Sequence, residues 1–150
     1  MKTPAESKHR LDLLAGIRPD LATLIEHAAK NDQAEGLIAR WAGTEPERWK
    51  RWERLGRRML GIQATLDRLQ DAQRLDAEVL RQIIEQVVAV QTIWRVYDEE
   101  RAREVAAFDP EEEEDREAMM ASAEVEAAEH DAAIAAILGT LRELLLQVEG

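Results

Sequence analysis

From residue 52 onward the chain is patterned in stripes. Trp52, Leu55, Met59, Ile62, Leu66 and Leu69 recur at spacings of three and four, a heptad seam along one side of a helix. The seam lapses around 70–76, where a break is expected. From Leu75 the pattern widens: Val79, Ile83, Val87, Val90, Trp94 and Tyr97 form one stripe, and Leu80, Ile84 and Val88 a second beside it. A helix apolar on two adjacent sides needs two partners. Phe108-Asp109-Pro110 closes this helix, because proline disfavours helical geometry in the residue before it. The last segment carries another heptad through Met120, Ala123, Ala127, His130, Ile134, Ile137, Leu141, Leu144 and Val148. The two long segments read as an antiparallel helical hairpin, with coiled-coil-like seams. Their combined apolar surface exceeds what one partner covers, so Val79, Ile83, Val87, Val90, Trp94, Ile134, Ile137, Leu141 and Leu144 are expected to hold copies together as an oligomerisation core.

The first 60 residues are shorter-patterned. Residues 1–16 read as a polar tail with a short turn ended by Gly16. Pro19-Asp20 opens a helix to about Lys30, with Leu21, Leu24, Ile25 and Ala28 on one face. Asn31-Asp32 is expected to break it, and Asp32 to Glu35 forms a capping box for a second helix ending near Trp41. Thr44-Glu45-Pro46-Glu47 starts a third. Ala39 lies four residues before Gly43, and Trp49 and Trp52 lie six and nine after it, the spacing of a helix-turn-helix. The pattern predicts an all-α chain: a tail at 1–16, a trihelical helix-turn-helix head at 17–60, and a helical oligomerisation domain at 61–150, with a bend expected at Gly56 and Gly61 between them.

Charge sharpens this picture. The chain of 150 residues carries a net charge of -11, yet residues 98–131 alone hold fifteen acids and three bases. That acidic tip is a solvated end or a dock for a basic partner. The 44–60 stretch holds six bases against three acids. On its helix Trp49, Trp52, Gly56, Met59 and Leu60 fall on one side, and Lys50, Arg51, Arg54, Arg57 and Arg58 on the other, with Arg48 at the border. One side would anchor the helix and the other would meet phosphates and base edges, so these six cations are the expected contacts to double-stranded DNA. Few contacts per chain imply weak, salt-sensitive binding that several copies would strengthen.

Other chemistry finds little footing. There is no cysteine, which excludes disulfides and thiolate metal sites. His130 sits on a heptad seam, but a di-iron bundle needs Glu-x-x-His pairs on two helices, and Ala127 stands three residues before it. His130 is therefore expected as an interface or partly buried histidine. Glu113-Glu114-Asp115-Arg116-Glu117 resembles the magnesium motif of all-helical nucleotide pyrophosphohydrolases but lacks the second helix's Glu-x-x-Asp. No phosphate-cradling glycine loop or nucleophile triad is present. The expectation is no enzyme, no metal and no cofactor. No apolar run approaches the roughly 20 residues that cross a bilayer, and the first ten residues lack a signal-peptide core, so no membrane partner and a cytoplasmic location are expected.

A small helix-turn-helix head at 39–60, followed by oligomerising stripes at 75–97 and 120–148, resembles in layout the small subunit of phage terminases. The resemblance implies a ring that recognises viral DNA for packaging, a separate large terminase subunit as partner, and residence in the bacterial or phage-infected host cytoplasm. Two other readings stand beside it. One is a helix-turn-helix transcription regulator dimerised through the hairpin; the other is an acidic helical adaptor or scaffold that does not touch DNA.

Overall fold

The computed structural model describes residues 4–42, 46–107 and 113–149, with side chains for 5–32, 52–107 and 113–149. Every element among them is helical: α1 (Pro4–Ala15), α2 (Arg18–Ala42), α3 (Pro46–Ala72), α4 (Ala77–Ala107) and α5 (Glu113–Glu149). The four long helices run alternately up and down, and each packs on its two neighbours in the order α2, α3, α4, α5 and back to α2. α1 lies across one end, against α3 and α5.

Paired charges fix the α4–α5 register. Arg81 meets Glu149, Arg95 meets Asp131, Asp98 meets His130 and Arg101 meets Glu126. Numbers that rise along α4 fall along α5, so this pair is antiparallel as the stripes predict. α2 and α3 are also side by side. Arg18, at the start of α2, reaches Asp67, near the end of α3, at 2.5 Å. Helices of a helix-turn-helix diverge from their turn at about 90–120°, and such a pair could not meet again near its far ends. The α2–α3 unit is a helical hairpin, not the expected trihelical head.

The reasons are local. Asn31 does not break α2, which continues to Ala42; its Oδ1 accepts a bond from Arg101 Nη2 at 2.7 Å, so it is engaged across the bundle instead of capping a helix. The tail expected at 1–16 is mostly α1, ordered because Leu14 and Ile17 are buried at 1% and 2% exposure. Gly56 and Gly61 lie inside α3. Each glycine costs a helix about 1 kcal/mol, but Trp52, Leu55, Met59, Ile62 and Leu66 all sit at 1% exposure or less. Each such burial is worth roughly 1.5–3 kcal/mol, which easily prevails. The boundary expected at 60/61 thus falls within one helix, and one continuous core runs from Leu14 to Leu144.

That core covers the stripes expected to hold copies together. Ile83, Val87, Val90, Trp94, Ile134, Ile137, Leu141 and Leu144 are buried within the single chain, and Val79 packs partly buried against them. The second partner that α4 requires is the α2–α3 hairpin, not another copy. The break expected at 70–76 is present: α3 stops at Ala72, and Asp76 caps α4 through the N–H groups of Glu78 and Val79 at 2.8 and 3.4 Å. After Pro110, α5 opens on Glu113, Glu114 and Asp115, which favour the positive end of its dipole.

Candidate nucleic-acid interface

The candidate surface is the outward side of α3. Trp52, Leu55 and Met59 face the core, and within two residues of that seam the chain exposes Arg54, Arg57 and Arg58. Arg57 is 74% exposed and pairs with Glu53 one turn back. Arg54 and Arg58 have no ion-pair or hydrogen-bond partner among the described residues. Standing four residues apart, they lie about 6 Å from each other along one edge of the helix. The side chains of Arg48, Trp49, Lys50 and Arg51 fall outside the described residues, although α3 begins at Pro46.

The N-terminal part of this helix is anchored by a polar and aromatic cluster that sequence reasoning missed. Trp52 lies against Trp94 and Tyr97 with ring centroids 5.3 and 5.0 Å apart, and the Arg101 guanidinium sits over its ring at 5.5 Å. Arg101 also holds Glu126 of α5 and Asn31 of α2. One side chain of α4 therefore touches each of the other three bundle helices. Deeper in, Trp94 tilts over His130 at 4.2 Å. His130 is 1% exposed, deeper than the interface or partly buried position expected of it.

Both its ring nitrogens are engaged. Nδ1 faces the two Asp98 carboxylate oxygens at 3.2 and 3.1 Å, and Nε2 faces His27 Nδ1 at 2.8 Å. A carboxylate only accepts, so the proton belongs on His130 Nδ1. In the neutral ring Nε2 is then an acceptor, and His27 Nδ1 donates to it. The chain of bonds runs His27 to His130 to Asp98, tying α2, α5 and α4 at one level. Burial keeps His130 from any substrate, which makes this a structural contact. The signal was in the sequence: Asp98 follows Trp94 by four residues, His130 precedes Ile134 by four and His27 follows Leu24 by three, so each polar residue interrupts an apolar stripe.

The electrostatic setting is mixed. Trp52 meets Trp94 and Tyr97 near the end of α4, so the basic start of α3 and the acidic tip share one end of the bundle. α5, which carries most of the tip's acids, stands diagonally across from α3. Neighbouring axes lie about 8–10 Å apart, so the diagonal exceeds the screening length of about 8 Å at physiological salt. Repulsion from those acids therefore weakens at the α3 face.

No group of three or more His, Asp or Glu side chains that would hold a metal ion occurs among the described residues. No helix there is long and apolar enough to cross a membrane. Compared with protein-family models, with curated proteins and with solved structures, the chain matches none of them.

Proposed function

We propose that this chain is a DNA-binding helical bundle that holds the phosphate backbone along the outward edge of α3. The observation that carries the reading is the division of one helix: Trp52, Leu55 and Met59 at 1% exposure or less, with Arg54, Arg57 and Arg58 facing water. Arg54 and Arg58 are the primary phosphate contacts, being unpaired among the described residues. Arg57 contributes on release from Glu53, and Arg48, Lys50 and Arg51 extend the same basic stretch toward the start of α3. Because α2 and α3 lie side by side, the contact is to backbone charge and not groove readout, so it discriminates poorly between sequences.

The finer role that the terminase resemblance implies, packaging by a ring beside a large subunit, needs copies joined through surfaces other than the buried stripes. Fluorescence anisotropy with a labelled duplex at low salt tests DNA binding. The wild-type chain binds, and Arg54→Glu with Arg58→Glu, both at exposed positions, weakens binding sharply while leaving the far-UV circular dichroism unchanged. Undiminished binding by the double variant rejects the reading.

An acidic adaptor is the second reading, and Met119, Met120 and Val125 favour it. They are exposed at 40%, 39% and 57% amid the acids of α5, the composition of a surface that receives a basic, partly apolar segment. A duplex-independent chain that retains a basic peptide through Val125 supports that alternative.

A further inference from the structure

At the opposite end of the bundle, α1 and the α3–α4 turn enclose a cleft of about 290 Å3 lined by Ser7, Arg10, Leu11, Gln73, Arg74 and Leu75. Two guanidiniums face it, and no carboxylate lines it among the described residues. Arg10 is half-buried and donates only to neutral oxygens of Gln147, from Nε to Oε1 and from Nη2 to the backbone carbonyl, each at 3.2 Å. Its Nη1 is buried with no acceptor among the described residues. Arg74 is exposed and has no ion-pair partner there either.

In a chain with 31 acids and 20 Lys and Arg, two neighbouring arginines without a carboxylate are unexpected. Buried or half-buried cations are ordinarily paired. Of the two nearest acids in sequence, Asp76 is engaged in capping α4, and Asp12, two residues after Arg10, is not among the residues that line the cleft. The backbone at the cleft is also held off its preferred path, since Gln73 sits at φ 51°, a conformation uncommon for a residue with a side chain.

We propose that this cleft binds a phosphate group, either free phosphate or the phosphate of a small monoester. Arg10 and Arg74 supply the charge, the Ser7 hydroxyl and Gln73 amide supply neutral donors, and Leu11 and Leu75 give an apolar wall for the remainder of an ester. The guanidinium fork matches the geometry of phosphate oxygens. The site is independent of the α3 edge and stands whether or not that edge binds DNA.

The test is titration calorimetry on the full chain at constant ionic strength, with inorganic phosphate, a nucleoside monophosphate and the corresponding nucleoside. Saturable one-to-one binding of phosphate, or of the monophosphate and not the nucleoside, supports the site; the tighter of the two identifies the source. Arg74→Gln, at an exposed position that leaves the melting curve in phosphate-free buffer unchanged, weakens binding by about tenfold or more. Arg10→Lys keeps the charge, loses the fork and binds less tightly than wild type. No saturable binding at millimolar phosphate overturns the proposal. So does equal affinity in wild type and Arg74→Gln.

Discussion

Removing the Asp98 carboxylate tests whether the buried histidine chain is one energetic unit. His130 is 1% exposed, so water cannot replace a lost acceptor at Nδ1. An orphaned buried N–H costs about 1–3 kcal/mol. The Asp98 side chain is itself only 11% exposed, so its deletion returns part of a desolvation cost and leaves Asp98→Ala at about 2 kcal/mol of lost stability. Asp98→Asn retains a carbonyl oxygen that accepts from the same N–H, so it loses less, about 1 kcal/mol or under. His130→Leu strands the His27 donor and gives up the contact with Trp94 at 4.2 Å, a loss of about 2–3 kcal/mol. Once His130 is gone the carboxylate has no partner, so Asp98→Ala in that background costs little. The double variant falls short of additivity by about 1–2 kcal/mol. Urea denaturation followed by circular dichroism, with linear extrapolation, measures all four proteins. Additivity within about 0.5 kcal/mol would refute the hydrogen-bond chain. Asp98→Asn as damaging as Asp98→Ala would refute the acceptor argument.

Further predictions concern the helix ends and the hairpin register. Gln73→Gly relieves a left-handed backbone at φ 51° and raises stability by about 0.5–1 kcal/mol in the same denaturation assay. Asp76→Ala removes the cap on α4 and lowers stability by about 1 kcal/mol. Because the chain has no cysteine, Arg18→Cys with Asp67→Cys introduces a clean pair. A short bis-maleimide joins them within one chain, visible as an unchanged subunit mass with altered electrophoretic mobility, whereas a diverging helix-turn-helix leaves them unjoined.

The stripes at 52–69, 79–97 and 120–148 predicted α3, α4 and α5 because their periodicity reports burial, although the last stripe is buried only from His130 onward and its first member, Met120, is 39% exposed. What periodicity does not report is what covers the burial. Val79, Ile83, Val87 and Val90 required a second partner, and a head at 17–60 taken as separate left only another copy to supply it. The α2–α3 hairpin supplies it instead. That misreading began at Asn31, whose side chain suits a helix cap as well as a bond to Arg101; only tertiary context chooses between them. At the candidate interface the inward and outward faces of 52–59 were legible from spacing alone, but Leu60, placed inward by the same spacing, is 52% exposed. The Trp52–Arg101 contact and the His27–His130–Asp98 chain join residues up to 103 positions apart. No local pattern records such partners, though the polar interruptions of each stripe marked their places.

The most direct measurement is the salt dependence of duplex binding for the wild-type chain and for Arg54→Glu with Arg58→Glu. Each phosphate neutralised contributes about 0.9 to the slope of log affinity against log salt. The account predicts measurable low-salt binding by wild type and a slope shallower by about 1.8 in the double variant, with unchanged helix content. Binding whose slope ignores the two arginines, or a wild-type chain that leaves duplex DNA unbound at low salt, would contradict it.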